Sequence, residues 1–508
     1  MAAPAEKLAA SLKALEALQR QGRVAIRSTD LTRTHRERLS ETGFLKEVMK
    51  GWYIASRPDE TAGESTAWYT SFWGFCAQYL TERFGEEWSL SPEQSLLIHA
   101  GNWTVPRQLL VRAPAGRNQA TEFPHDTSIF EVRAEVGQGA VKEGLRLFSV
   151  EGALVSVTEP FYQLYPTDAR TILATIPDAS ALLAKLLDGG HTRAAGRLAG
   201  AFRNIGADKI ADEILAAMKA ALHDVRETDP FKEQVRIAGS GRAVSPYVHR
   251  IRLMWRSMRE VVIDRFPAAK PPPNDIDAYL KAVDEIYVTD AYHSLSIEGY
   301  RVSPALIEKV RSGTWNPDED KEDSEHKNAL AARGYWQAFQ LVKESVRKVL
   351  EGANPGDVAD ADLGAWYREL FTPSVTAGIM KQANLAGYRN GPVYIRRSKH
   401  VPLNPAAVRD AMPAFFELLK EEDNAAVRVV LGHFIFVYIH PYFDGNGRTA
   451  RFLMNVMMAA AGRPWTVVKL DHRDAYMAAL EAASVEGDIA PFCDLNAGIV
   501  EPEGTAGP

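Results

Sequence analysis

The sequence predicts a multidomain chain: a small helix-and-hairpin module, then a mixed α/β region, then a mainly helical half with one small hairpin. Three observations predict it. The chain has 508 residues, room for two to four domains with real cores. Its apolar spacing is helical at the start and again from about Ile276 with one interruption at 387–405, whereas the other strand-like alternation lies before about 225. Late in the chain the polar stretch HPYFDGNGRTAR, residues 440–451, stands between two greasy runs, VRVVLGHFIFVYI and FLMNVMMAAAG.

Composition narrows the class. Hydrophobic content of 46% and charged content of 24% are those of a soluble globular protein. A net charge of −6 gives no global pull toward nucleic acid. Two cysteines, Cys76 and Cys493, cannot build a disulfide framework or a cysteine zinc site, so buried thiols in a reducing cytoplasm are expected. The opening MAAPAEKLAASL lacks a basic-then-apolar leader pattern, and His433 and His440 break the greasiest run, so no membrane partner is expected.

The elements follow in order. EKLAASLKALEALQRQG has helical spacing and a glycine stop. Ser28 is read as the cap of a second helix, and a third carries Arg33, Arg36 and Arg38 before Gly43 ends it. FLKEVMKGWYI then reads as a two-stranded wing turning near Lys50–Gly51. Helix, helix, helix, wing is the winged-helix order. Over 23–50 seven basic residues face four acids, Asp30, Glu37, Glu41 and Glu47, a local surplus in an acidic chain. This start resembles the N-terminal winged helix of AbiEi-type antitoxins, which implies DNA as a partner through Arg33, Arg36 and Arg38; protein docking is the alternative. SLLIHAG, RQLLVRAP, SIFEVRAE and RLFSVEGALVSV read as strands, and GRLAGAFRNIGADKIADEILAAMKAAL as helix. The AbiEi resemblance extends loosely over this region. RIAGSGRAVS reads as a linker, YVHRIRLMWRSMREVVIDRF as a basic helix, and PAAKPPPND as a stiff joint. The expected divisions are 1–60, 61–228, 229–275 and 276–500.

The knot at 440–451 lies between two helices. Pro441 disfavours helical geometry at His440, which ends the first; the second runs from about Arg448 to Gly462. Arg448 and Arg451, one turn apart, share a face, and cations there oppose the helix dipole by roughly 0.3–1 kcal/mol each. A polyphosphate on the helix N-terminus would reverse that penalty, with Gly445 and Gly447 allowing close backbone approach. Asp444 with phosphate oxygens is a common way to hold Mg²⁺. His440 can take a proton near pH 7. On residue types alone, a glycine-rich turn with exposed arginines remains an equal alternative.

The whole string resembles the signature of the Fic family, His-x-Phe-x-(Asp/Glu)-Gly-Asn-Gly-Arg-x-x-Arg. His440, Asp444, Gly445, Asn446, Gly447, Arg448 and Arg451 match; Tyr442 replaces Phe. The resemblance implies transfer of AMP from ATP to a protein hydroxyl. It makes His440 the base and Asp444 the Mg²⁺ ligand. Asn446 and the backbone at Gly445 and Gly447 hold the α- and β-phosphates, Arg448 contacts the β-phosphate and Arg451 the γ-phosphate. Gly447, where kinases of the Doc type carry Lys, favours nucleotidyl transfer. Asn455, Tyr476 and the flap described next are the candidates for adenine contacts.

Two more stretches fit that family. GYRNGPVYIRRSKHVPLNP, residues 387–405, reads as a hairpin and resembles the Fic flap, to which a target segment adds as a strand; Val393, Tyr394 and Ile395 would bind it. SLSIEG, residues 294–299, resembles the family's inhibitory motif. That implies Ser294, Glu298 and Gly299 at a helix end, with Glu298 pairing Arg451 in place of the γ-phosphate. The leading expectation is therefore a self-inhibited AMP-transferase using ATP and Mg²⁺ on a hydroxyl-bearing target protein, which could be this chain itself. The alternatives are an enzyme that removes AMP, and a DNA-binding regulator whose Fic domain senses nucleotide.

Overall fold

The computed structural model describes residues 3–60, 64–235, 245–315 and 323–500. Two compact units emerge, one of Met1–Arg250 with Tyr394–Val401, the other of Ile251–Val393 with Pro402–Pro508.

The first unit opens with α1 (Pro4–Arg20), β1 (Ile26–Arg27), α2 (Arg33–Glu41), β2 (Leu45–Met49) and β3 (Trp52–Ala55). The strands form an antiparallel sheet in the order β1-β3-β2, closed over Leu15, Ile26, Leu31, Leu39 and Leu45. The helix expected from Ser28 is a turn instead. Asp30 accepts from the backbone of Arg27 at 2.8 Å, and the Ser28 amide goes to the Gly51 carbonyl at 2.8 Å. The true cap is Thr32, whose Oγ1 accepts from His35 at the start of α2. The module therefore has two helices before its hairpin, not three.

Next come α3 (Thr66–Phe84), β4 (Ser89–Leu90), α4 (Pro92–His99), β5 (Gln108–Ala113), β6 (Gln119–Phe123) and β7 (Thr127–Arg133), then the short pair β8 (Val141–Lys142) and β9 (Leu145–Arg146). The four-stranded sheet has the order β4-β5-β7-β6, with β5 and β7 parallel. RQLLVRAP and SIFEVRAE are its central strands, as expected. SLLIHAG is not a strand: it lies in α4, because Ser91 caps the Gln94 amide and Pro92 takes the first helical position. A short, fully buried apolar run does not distinguish strand from helix by pattern. RLFSVEGALVSV likewise supplies only Arg146 to β9 and then turns into α5 (Val150–Ser156), capped by Ser149. Short helices α6 (Glu159–Leu164), α7 (Pro166–Thr175) and α8 (Ser180–Asp188) follow, then α9 (Thr192–Asn204) and α10 (Asp208–Ala220). The expected linker falls mostly on residues 236–244, outside the described residues.

The basic helix α11 (Pro246–Arg265) is no separate linker: the division between the units falls inside it, after Arg250. PAAKPPPND is not a free joint either. Within the second unit the Lys270 amide bonds the Ala461 carbonyl at 2.8 Å, and Arg463 reaches the Ala268 carbonyl at 2.6 Å. The remaining helices are α12 (Ile276–Ile297), α13 (Pro304–Arg311), α14 (Asp323–Leu350), α15 (Pro355–Thr376), α16 (Pro405–Glu421), α17 (Ala425–Ile439), α18 (Asn446–Ala460), α19 (Arg473–Glu481) and α20 (Ala490–Val500). Helices α17 and α18 are buried along nearly their whole length, so they are apolar all round rather than striped. Asn424 caps α17 through the Ala426 and Val427 amides. Among the described residues, no helix is long and apolar enough to cross a membrane.

The hairpin expected at 387–405 has no strand ladder. Ser398 closes a turn on the Ile395 carbonyl at 3.2 Å, with Arg397 left-handed at φ 61°. Prolines at 392, 402 and 405 remove amides a ladder would need. Residues 394–401 bond within the first unit instead. The Val105 amide donates to the Lys399 carbonyl, the Arg397 amide donates to Thr66 Oγ1, and Arg396 pairs with Glu64 at 2.8 Å. Glu64 is buried, and the Arg396 hydrogen bond leads the effects that hold its carboxyl down to about 2.

Candidate active site

Helix α17 ends on His440, which is left-handed at φ 54° and ψ 61°. That conformation is costly for a residue with a Cβ, by about 1–2 kcal/mol, and Pro441 prevents helix continuation. Nδ1 of His440 lies 3.2 Å from the Val437 carbonyl. A carbonyl only accepts, so Nδ1 carries the proton and Nε2 carries the lone pair. Burial lowers the imidazole to about 4, so the ring is neutral at pH 7. It has the electronic form of a general base.

The loop from His440 to α18 is held by side-chain contacts. Tyr442 is buried and stacks on Tyr367 at 3.7 Å and 5°. Asn446 is fully engaged: its Oδ1 accepts from the Tyr442 amide at 3.0 Å and its Nδ2 donates to the Tyr442 carbonyl at 2.8 Å. The phosphate contact expected from the Asn446 side chain is thus replaced by a clasp across the loop. Gly445 is left-handed at φ 79°, and a Cβ there would lie 2.7 Å from the Phe371 ring. It precedes the first turn of α18, which no side chain caps. Asp444 has a half-exposed side chain, and its Oδ1 accepts from the Gly445 amide at 2.6 Å.

Two arginines line that helix start. Arg448 is 1% exposed and lies between aromatic faces, 5.1 Å from the Tyr300 ring and 4.9 Å from the Phe371 ring. Arg451 is 3% exposed. Its Nε donates to Ser294 Oγ at 2.9 Å, and its Nη2 donates to the Ser294 carbonyl at 3.0 Å and to Glu298 Oε1 at 2.7 Å. Nε of Arg448, Nη1 of Arg451 and Oγ1 of Thr449 are buried without a hydrogen-bond partner. Buried donors without partners are uncommon and mark a place for an acceptor-rich ligand. A polyphosphate fits that need, and Asp444 offers the carboxylate a phosphate-bound Mg²⁺ would use.

Glu298 caps the C-terminus of α12. Gly299 follows at φ 88°, and the Tyr300 amide returns to the Leu295 carbonyl at 3.1 Å, closing the helix end in a glycine C-cap. A Cβ on Gly447 would lie 2.2 Å from Glu298 Oε1. The carboxylate therefore rests on the first turn of α18, where an anion is favoured. Behind it Asp290 is raised to about 6 by burial and accepts from Tyr335 at 2.7 Å.

Other expected residues stand elsewhere. Asn455 is fully engaged with the Arg451 carbonyl and the Thr466 backbone, so it pins the chain after α18 and offers nothing to adenine. Tyr476 bonds His433 at 2.8 Å in the core. Val393 lies in the second unit, while Tyr394 and Ile395 belong to the first. Arg33 pairs with Glu37 in solvent, Arg36 bonds the Ser28 carbonyl, and Arg38 turns to Lys7 and Ser11 of α1, so the three do not form one DNA face. Sequence reading missed Tyr300, Phe371 and Tyr367, whose roles depend on three helices meeting and leave no periodic trace. It also missed Arg389, which donates from Nε to the His440 carbonyl at 2.8 Å.

Residues 360–458 match the model of the Fic/DOC family. A Protein adenylyltransferase Fic from Nematostella vectensis is 30% identical over 216 residues, 42% of this chain and 46% of that protein. One of the same name from Drosophila willistoni is 30% identical over 219 residues, 42% and 40% of the two chains. The chain thus spans less than half the length of these curated relatives. A solved structure of Fic-1 from C. elegans is 20% identical, covers 66% of this chain and 89% of its own, and superposes with a TM-score of 0.36.

Proposed function

We propose that this chain transfers AMP from Mg-ATP to a Ser, Thr or Tyr hydroxyl of a protein, and that Glu298 holds it off. One observation carries the reading. Two buried guanidinium groups with partnerless N–H donors stand at an uncapped helix start, beside a neutral imidazole whose lone pair is fixed on Nε2. The family match over 360–458 supports the same chemistry.

In the reaction, Nε2 of His440 takes the proton of the target hydroxyl. The hydroxyl oxygen bonds the α-phosphorus, the bond from that phosphorus to the bridging oxygen breaks, and pyrophosphate leaves. The first-turn amides of α18, Arg448 and Arg451 neutralise the phosphates, with Arg451 at the γ position. Asp444 would hold Mg²⁺, which supplies charge neutralisation for the departing pyrophosphate. While Glu298 occupies Arg451, the γ-phosphate loses that cation and meets a second negative charge. The buried free thiols Cys76 and Cys493 suit a reducing compartment such as the cytoplasm.

The test is self-labelling from α-labelled ATP. Glu298→Gly should label at least tenfold more than the unaltered protein, since a charge-assisted bond is worth about 1.5–3 kcal/mol. Equal labelling at several ATP concentrations would remove the self-inhibition and leave the transferase. No labelling of any hydroxyl protein, with release of AMP from a modified one, would favour the reverse reaction.

A further inference from the structure

We propose that Arg389 is a positioning residue for His440: it locks the left-handed end of α17 and ties both feet of the 391–403 segment to that point. The proposal rests on the reading of His440 as the base.

Arg389 is 1% exposed. Its Nε donates to the His440 carbonyl at 2.8 Å, its Nη1 to the Gly391 carbonyl at 3.0 Å, and its Nη2 to the Leu403 carbonyl. Its own amide donates to the Pro441 carbonyl at 2.9 Å. All three side-chain nitrogens therefore go to carbonyls, and among the described residues none goes to a carboxylate. A buried guanidinium without a counter-ion is expensive, and burial lowers it to about 10, still charged at pH 7. What offsets the cost is its place. The carbonyls of His440 and Pro441 follow the last turn of α17, whose dipole leaves its negative end there.

His440 needs such a lock. Its left-handed backbone is strained, and two bonds from one residue, on consecutive carbonyls, hold the chain in that turn. The planar fork makes this possible, because the nitrogens reach three different carbonyls at fixed angles; a lysine ammonium is a single point on a flexible stem. Gly391 and Leu403 bracket the segment expected to receive the target. Gly391 also lies against Phe443, the exposed ring of the active loop, where an added Cβ would stand 3.3 Å away. One buried side chain thus ties His440, Gly391 and Leu403 to a single point.

The experiment uses the full chain in the Glu298→Gly background. Arg389→Lys and Arg389→Gln should each lower kcat for transfer on the order of 10–100-fold, the effect of a misplacement near 1 Å. The affinity for ATP should stay within twofold, because the phosphate donors lie on α18. A structural residue alone would lower ATP affinity and kcat together, in proportion to the folded fraction. Unchanged kcat in folded variants, or ATP affinity falling in step with kcat, would overturn the proposal. Hydrogen exchange of the unaltered protein gives an answer independent of folding of the variants. The Arg389 amide should exchange as slowly as the interior of α17, and exchange at the rate of an exposed loop would end the lock. Loss of all transfer in the background protein would instead count against the AMP-transferase reading, and the exchange result would still decide the role of Arg389.

Discussion

Helices α2 and α18 both carry arginines from their first turns, Arg33, Arg36 and Arg38 in one and Arg448 and Arg451 in the other. In α2 every guanidinium has a protein partner: Arg33 a neighbouring glutamate, Arg36 a carbonyl of the preceding turn, Arg38 the flank of α1. In α18 both are almost wholly buried, and each keeps an N–H with no partner. The difference is not one of charge. A surplus of cations along a sequence counts charges, whereas a binding site needs donors that the fold has dried and left open. Helix α18 meets that condition because aromatic rings and apolar helices exclude water around it.

The largest expected effect concerns the His440 imidazole beside those donors. In the Glu298→Gly background, His440→Ala should cut labelling by about 10²–10⁴-fold and leave ATP affinity intact. Loss of ATP binding as well, read by calorimetry, would make His440 part of the anion site and blur the contrast. Arg451→Ala in the same background should weaken ATP by about 10–100-fold and AMP hardly at all, from the worth of a charge-assisted bond. Arg33→Ala should change neither. Equal losses at Arg451 and Arg33 would break the comparison.

The dryness that leaves α18 its donors also lowers two histidines, His433 to about 3 and His440 to about 4, in both cases chiefly by burial. Their folded values lie below the unfolded value near 6.5, so the unfolded chain binds more protons in between. Their contribution is complete above pH 6.5 and lost as pH falls from 6.5 through the folded values, at about 1.4 kcal/mol per pH unit for each proton. Asp290, raised to about 6, acts in the opposite sense between about 3.8 and 6. The measurement is therefore a difference: His433→Gln should flatten the acid limb of a melting profile relative to the unaltered protein, and an identical limb would count against a neutral His433.

The smallest effect belongs to α2. The full chain should show no salt-steep retardation of DNA, and Arg33→Ala should leave its mobility unchanged, since Arg33 is paired with Glu37 and its neighbours are bonded within the module. Arg38→Ala should lower stability by about 1 kcal/mol through its lost bonds to α1, visible in a denaturant midpoint. A tight, salt-steep complex abolished by Arg33→Ala would restore a DNA role to this helix.

Much of the second unit was legible from residues. The ends of α17 and α18 follow from Pro441 and Gly462, and α12 ends at Glu298, just before Gly299. The strand readings at SLLIHAG and RLFSVEGALVSV failed where Ser91 and Ser149 supplied helix caps, because an apolar run as short as Leu96–Ile98 or Ala153–Val155 fits either element. The hairpin at 387–405 failed because its polar backbone found partners far away in sequence, Val105 and Thr66, which alternation within the segment does not encode.

Local order sufficed to read the types of groups at the site: an imidazole, a carboxylate, two glycines and two arginines in fixed sequence between apolar helices. Which of their hydrogen-bonding atoms were already engaged came from packing. Asn446 and Asn455 are both occupied by neighbouring backbone, while Arg448 and Arg451 retain open donors. The physical reason is that hydrogen-bond satisfaction is a property of the surroundings. A side chain carries the same donors wherever it stands, and whether they are free depends on the helices, rings and carbonyls that the chain brings from Ser294, Phe371 and Arg389.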